Sequence, residues 1–498
     1  MYVEQLMQLT MLTSSGNVFA IRLKMMTMLM MMMMEAAVRG ETFCKQVVQP
    51  LGYACVEYTV ETDDGFVLVL HRLSHVKKLA GDNIMDSGVL ANANLTRGEN
   101  LGPSEGGNGF SGAPENCPNT NVQAVDEQKM NSGANLGSNN TGCFSLKKKP
   151  ISAHGRNYHR TSQNYTADPK GGKGAPVLLM HQEFLNGDSW FQFVDAKHVG
   201  RLLPVLLLDD GFDVWVGHQR ATYWCHDHVS LHYTQQAFWD WTWDEHAHYD
   251  LPAQLRFINA ETNQTVHYIG ISQAGTAGAA GATYTDTSLM IRSLTLIGPT
   301  AYRGNTNSLL LDAWAYFFGL TLDSEYYATG FQNGAFNYTN EFSTAPITAD
   351  GITGLEIGLI SGPNCCLGTG TISLSNGWDG TTSFKNLLHW QQGIRQNTWA
   401  HFDYFPRTER NMMAYNQPTP PSYEPAQIPA TIPVLIILGG QDWTAPPHGI
   451  NMFMTQLQQV PHVVNLTKYA HYDLIFSATR EDDVYLPILS FLESSLFT

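Results

Sequence analysis

The stretch VHYIGISQAGTAGAAGATY, residues 266–284, decides how the fold is read. Its first six residues suit a strand buried on both faces, and they run without a break into Ser272-Gln273-Ala274 and a train of Gly and Ala. A tight strand-to-helix turn at this point lifts the Ser272 hydroxyl clear of the backbone. Small neighbours are what such a turn requires, because the following helix returns close against the sheet. Ala274 stands where this G-x-S-x-G arrangement usually has its second glycine, and Gly275 comes one residue later. In a chain with 44 glycines the pattern alone is weak. Its place between a buried strand and a small-residue helix gives it weight.

A serine hydroxyl attacks poorly unless a histidine takes its proton and a carboxylate orients that histidine. On a scaffold with this kind of turn the partners follow in the order serine, acid, histidine. TIPVLIILGG, residues 431–440, reads as a buried strand, and Asp442 comes two residues after it. VNLTKYAHYDLIF, residues 464–476, puts His471 in a loop before the last helix. Taken singly, Asp442 reads equally well as a helix cap and His471 as one surface histidine among 18. Their joint order and placement select Ser272, Asp442 and His471 as the catalytic set. Two backbone N–H groups are then needed to bind a developing oxyanion. One is expected from Gln273 and the other from Glu183, within the segment His181-Gln182-Glu183-Phe184. The acidic side chain of Glu183 is an unusual neighbour for a negative charge.

Outward from the serine, short apolar runs recur at 176–180, 212–216, 293–297 and 432–438, with helical stretches between most of them. This alternation predicts an α/β architecture: a mostly parallel sheet covered by helices on both faces, with active residues at the carboxyl ends of strands. VEYTVET (56–62) and FVLVLHR (66–72), joined by Asp63-Asp64-Gly65, predict an antiparallel hairpin ahead of it. Between 75 and 173 the composition turns to Gly, Asn, Ser and Pro with almost no apolar periodicity, so this stretch is expected to be a disordered, low-complexity insertion. It is either a natural surface insertion or a retained non-coding stretch. From 303 to 395 the alternation gives way to an aromatic, Gly-rich region (AYFFGL at 315–320, then Tyr326, Phe331 and Phe336), read as a cap or lid.

The chain has 498 residues, 43% of them hydrophobic, which is ample for one large core. With 28 basic against 44 acidic residues its formal charge is -16, a sign that repels phosphate backbones and argues against a nucleic-acid partner. Seven cysteines lack the paired spacing of a zinc site, so neither a metal nor another cofactor is expected. Cys44 and Cys55 are spaced to staple the N-terminal segment, while the adjacent Cys365 and Cys366 are expected to pair poorly with each other. Residues 1–40 read as a signal segment: Arg22 and Lys24 precede the apolar run Met25 to Met34, followed by Ala36 and Ala37. The alternative is a mis-assigned start followed by low-complexity methionine. Sequons at Asn94, Asn139, Asn164, Asn263, Asn337 and Asn465 are compatible with glycosylation on that route. No other stretch approaches the length needed to span a bilayer.

Several blocks together resemble the acid lipase family, which includes gastric and lysosomal lipases and plant triacylglycerol-lipase-like enzymes. They are LGYACVEYTVETDDGFVLVLHRL, PVLLMHQEFLNGDSWF, LLLDDGFDVWVGHQRATYW, FWDWTWDEHAHYDLPA, NCCLGTGTI, TTSFKNLLHW and YAHYDLIF, besides the turn at Ser272. The likeness covers nearly everything outside 1–43 and 75–173 and implies the α/β-hydrolase fold. It divides the chain into an N-terminal segment (41–74), a catalytic domain (174–302 and 396–498) and a cap (303–395). It also implies hydrolysis of neutral lipid esters at a lipid–water interface through an acyl-enzyme, with Ser272 attacking, His471 moving the proton and Asp442 orienting it. The expected location is the secretory route, extracellular or in a lysosome or vacuole. Three departures stand near the site: His181-Gln182-Glu183 for His-Gly-Leu, Gly270-Ile271-Ser272-Gln273-Ala274 for Gly-His-Ser-Gln-Gly, and Gly217-His218-Gln219-Arg220-Ala221 for Gly-Asn-x-Arg-Gly. They leave open a second reading, a weak or inactive lipid-binding relative with an altered oxyanion loop. A peptidase on the same fold is disfavoured by the lipase-like blocks.

Overall fold

Five of the predicted apolar runs become strands whose every residue is buried or nearly so, because each lies inside a sheet with helices on both faces. The structure is a computed structural model that describes residues 42–75, 174–192, 202–318, 335–337, 358–367 and 381–496. These residues all belong to one compact unit. The expected signal segment, all of the expected insertion except His75, and the parts of the expected cap that hold Tyr326 and Phe331 lie outside the described residues.

The hairpin forms as expected: β1 (Tyr53–Glu61) pairs antiparallel with β2 (Phe66–His75). The connection turns at Gly65, whose φ of 99° is left-handed and favours glycine. A disulfide between Cys44 and Cys55 ties the preceding segment to β1, the staple their spacing suggested. The remaining strands are β3 (Pro176–Met180), β4 (Asp213–Gly217), β5 (Asp227–His228), β6 (Val266–Ile271), β7 (Ile291–Ile297), β8 (Ala335–Asn337), β9 (Thr381–Ser383), β10 (Val434–Gly439) and β11 (His462–Leu466). The main sheet runs β1-β2-β4-β3-β6-β7-β10-β11, with β5 paired to β2, while β8 and β9 form a separate two-stranded sheet. From β4 to β11 all neighbours are parallel.

One apolar cluster covers one face, with Leu203, Leu207, Val214, Ile269, Ile437, Leu474 and Phe476 among its members. The other is built on Leu178, Trp215, Leu255, Tyr268, Leu294, Ile436 and Phe453. Such two-sided burial lets the strands rise in parallel and delivers their carboxyl ends to one edge. β11 was not anticipated: its five residues are short and largely exposed at the sheet edge, so they carry no buried-strand signature. His471 does precede helical structure, but a short helix, Asp473–Phe476, comes before the final one, Leu486–Ser494.

The expectation for Cys365 and Cys366 is corrected. The two are joined to each other, with Cα atoms 3.7 Å apart. Both of their N–H groups donate to the carboxylate of Asp473, at 3.0 Å each, which holds the tight turn that brings adjacent sulfurs together.

Candidate active site

The tight turn that the sequence predicts after β6 is a strained one. Ser272 sits at φ 56°, ψ -121°, outside the regions L-residues favour, and is fixed there by its N–H donating to Ile297 O at 2.8 Å. Helix Gln273–Gly281 begins at the next residue, so the Gln273 N–H has no acceptor within the helix. That helix lies close on β6. A Cβ on Gly278 would come within 2.1 Å of the Tyr268 ring, and the Tyr268 hydroxyl donates to Ala274 O at 2.6 Å.

Asp442 and His471 follow β10 and β11, the next strands but one and two along the same edge. The three sequence-predicted residues meet. Ser272 Oγ lies 2.9 Å from His471 Nε2, and His471 Nδ1 lies 2.7 Å from Asp442 Oδ2. All three are buried, at 8, 5 and 0% exposure, so their hydrogen bonds face little competition from water. Asp442 Oδ1 also accepts the Ala445 N–H at 2.7 Å, which fixes the carboxylate plane. With Nδ1–H donated to the carboxylate, the Nε2 lone pair is left to accept the serine proton. The His471 loop is held from outside by Ser361 O, which accepts the N–H of His471, and by Asp473, which accepts that of Ala470.

The second N–H expected at the oxyanion position belongs to the loop after β3. Here His181 is locked as a neutral ring. Gln219 N–H donates to its Nε2 at 3.0 Å, its Nδ1–H donates to Gln182 O at 2.8 Å, and burial lowers its pKa to about 4. Phe184 takes φ 62°, an uncommon conformation for a large side chain, in the turn that carries Glu183. The Glu183 carboxylate does not point into open solvent. Its Oε1 accepts from Thr382 Oγ1 at 3.0 Å and from Asn386 Nδ2 at 2.6 Å, and burial raises its pKa from 4.5 to about 7.

A set of side chains that sequence reasoning did not assign completes this wall. Asn386 Nδ2 and Trp390 Nε1 donate to Gln273 Oε1 at 2.8 and 2.7 Å, and Gln273 Nε2 donates to Gln219 Oε1 at 3.1 Å. Arg303 is 7% exposed, with its guanidinium 4.8 Å above the Trp390 ring and its Nε donating to Thr444 O at 3.2 Å. Burial lowers its pKa to about 10, so it stays a cation at neutral pH. Asn386 and Trp390 fall inside TTSFKNLLHW, so that block was visible in the sequence; Arg303 carried no such signal. Among the described residues, the only three-member His/Cys/Asp/Glu group spaced for a metal ion is Cys365, Cys366 and Asp473, whose sulfurs are joined to each other.

The arrangement can transfer an acyl group: a hydroxyl within hydrogen-bond reach of an imidazole, a carboxylate behind it, and a free helix N–H beside it. A model of the partial α/β-hydrolase lipase region matches residues 44–100. Triacylglycerol lipase 2 of Arabidopsis thaliana is 32% identical over 329 residues, spanning 65% of this chain and 77% of that protein. Triacylglycerol lipase 1 of the same plant is 28% identical over 331 residues, spanning 66% and 82%. The lysosomal acid lipase/cholesteryl ester hydrolase of Homo sapiens is 26% identical over 351 residues, spanning 68% and 82%.

Proposed function

The chain belongs to the acid lipase family of α/β-hydrolases and is a lipase-class ester hydrolase, and from that premise we propose that it cleaves carboxylic esters of neutral lipids through an acyl-enzyme on Ser272. The observation that carries this reading is the pair of contacts through one imidazole, 2.9 Å from Ser272 Oγ to His471 Nε2 and 2.7 Å from His471 Nδ1 to Asp442 Oδ2.

In the proposed cycle, Ser272 attacks the ester carbonyl as its proton passes to His471 Nε2, and Asp442 stabilises the imidazolium. The N–H groups of Gln273 and Glu183 receive the oxyanion. His471 then returns the proton to the departing alcohol, and water repeats the sequence to release the acid. Gln273 is well suited to this part: its side chain is held by Gln219, Asn386 and Trp390, so the amide beside the serine is placed before substrate arrives. The substrate is taken at a lipid–water interface and the protein travels the secretory route. Among the described residues no helix is long and apolar enough to cross a membrane.

The Glu183 carboxylate, carried by the same residue whose N–H is assigned to the oxyanion, favours a second reading, a lipid-binding relative with little turnover. An active-site fluorophosphonate separates the two, because covalent capture needs both an activated serine and a working oxyanion site. Stoichiometric labelling, mapped by mass spectrometry to Ser272, is expected. No labelling of folded protein selects the second reading.

A further inference from the structure

Residues 358–367 pack against the loops that carry both Asp442 and His471. Ser361 O accepts the N–H of Trp443 at 3.1 Å and that of His471 at 3.2 Å, so one carbonyl ties the loop of the acid to the loop of the histidine. Ile360 O accepts the Thr444 hydroxyl at 3.2 Å, and Gly362 lies so close that a Cβ on it would come within 2.0 Å of Gln441 O. The far end is fastened where Leu367 bridges to Ser477 and where Cys366 O accepts the Ala478 N–H at 2.9 Å.

Asp473 joins this segment to the histidine loop. Its Oδ2 accepts the N–H of Ala470 at 2.8 Å and that of Cys365 at 3.0 Å, and its Oδ1 accepts that of Cys366 at 3.0 Å. Ala470 precedes His471 and Asp473 stands two residues after it, so this buried carboxylate closes the turn that holds the catalytic imidazole. Successive N–H groups point apart along an extended strand and converge on one anion only where the backbone is tightly turned. The disulfide between Cys365 and Cys366 closes a small ring around the peptide that joins them, which removes the freedom of that backbone to extend. It is also within reach of solvent: Cys365 is exposed and Cys366 half-buried, whereas in the other disulfide Cys44 is buried and Cys55 half-buried.

We propose that Asp473 is a positioning residue for His471 whose grip is set by the Cys365–Cys366 disulfide, so that a dithiol that reduces this bond slows acyl transfer at Ser272. This rests on the ester-hydrolase reading and adds a control to it. A thiolate of the dithiol attacks the Cys365 sulfur, the S–S bond breaks, and Cys366 leaves as a thiolate that takes up a proton. The second thiol of the reagent then displaces Cys365 from the mixed disulfide, so the cysteine pair gains two electrons and two protons and the dithiol becomes a cyclic disulfide. With the ring open the two N–H groups no longer need to converge on Asp473, the histidine loop loses a brace, and Nε2 is held less closely on the serine hydroxyl.

The test reduces the full-length protein with dithiothreitol, desalts it and measures kcat and KM on a soluble short-chain ester; a second aliquot is alkylated with iodoacetamide and the opened thiols are located by mass spectrometry. Cys365 and Cys366 are expected to be alkylated while Cys44 and Cys55 stay paired. In the reduced protein kcat and the rate of fluorophosphonate capture fall together by about ten-fold, KM stays within about two-fold, and reoxidation with diamide restores both rates. Cys365→Ser combined with Cys366→Ser is expected to show the kcat of the reduced protein with or without dithiothreitol. Opening of the bond with kcat kept within about two-fold overturns the proposal, as does a bond that resists about 10 mM dithiothreitol, or a change confined to KM. A fall that the double variant shares with wild type also overturns it, since another disulfide would then be responsible. If the double variant does not fold, the reversible change in wild type decides. Hydrolysis that ignores the reductant breaks this inference and leaves the hydrolase reading standing; oxidised protein with neither turnover nor fluorophosphonate labelling overturns both.

Discussion

The elbow at Ser272 and the wall that faces it meet at Gln273, and they are built on different physics. The elbow rests on apolar burial. β6 is wholly buried, the helix behind it is mostly Gly and Ala, and the hydroxyls of Tyr268 and Thr276 supply its few side-chain polar ties. The wall is a polar network: Glu183, Thr382, Asn386, Gln273, Gln219 and Trp390 exchange hydrogen bonds, with the Arg303 cation stacked on its edge. Burial tolerates changes of shape by small degrees, whereas a polar network fails when one member leaves its partners unsatisfied. The elbow therefore concentrates its function in one atom, and the wall distributes it.

The largest expected effect follows from that concentration. Ser272→Ala is expected to lower kcat on a soluble short-chain ester by three or more orders of magnitude, with the melting temperature unchanged or raised as the strained residue loses its polar group. Turnover within ten-fold of wild type would remove the serine from the chemistry. On the wall, Asn386→Ala leaves Glu183 and Gln273 each short of a donor in a buried place, and about 1–3 kcal/mol of stability together with roughly ten-fold in kcat/KM is expected to go. Chemical denaturation and initial rates, measured together, check it. A variant equal to wild type in both would mean that the wall does not act as a unit.

Glu183→Gln sharpens the comparison, since it keeps an acceptor for Thr382 and Asn386 and removes only the charge. The folded pKa is raised from 4.5 to about 7, so the protonated acid favours the fold below pH 4.5 and that contribution is lost as pH rises towards about 7. The variant is expected to be more stable than wild type above pH 7, by on the order of 1–3 kcal/mol, and equal to it near pH 4. Its turnover relative to wild type should rise several-fold between about pH 5 and pH 8, as the ionised carboxylate near the oxyanion N–H groups appears in wild type alone. Taking the ratio at each pH cancels whatever both proteins share. A flat ratio would show that the charge is not felt at the serine. The smallest effect is expected from Tyr268→Phe, which deletes the hydroxyl that donates to Ala274 O: a loss of about 1 kcal/mol in stability with turnover little changed.

Much of the elbow was legible because its causes are local. A buried strand needs a run of apolar residues, a crowded turn needs small ones, and each leaves its mark within twenty residues of chain. The same holds for the hairpin around Asp63-Asp64-Gly65, and for Asp442 directly after its strand. β11 was missed because an exposed edge strand has no apolar run to announce it. The bond between Cys365 and Cys366 was misjudged because the carboxylate that shapes their turn, Asp473, lies more than a hundred residues away.

What the sequence alone offered was the order of the parts: a serine at a strand-to-helix turn, an acid just past a buried strand, and a histidine in a later loop. Only the tertiary structure decided what they face. Whether Glu183 met solvent, an oxyanion or a neighbour depended on Thr382 and Asn386, some two hundred residues away, and the placing of the Arg303 cation depended on Trp390 and Thr444. A local pattern reports what one segment needs in order to fold. The charge, burial and partners of a side chain are set by the segments packed against it, and no spacing along the chain encodes which segments those are.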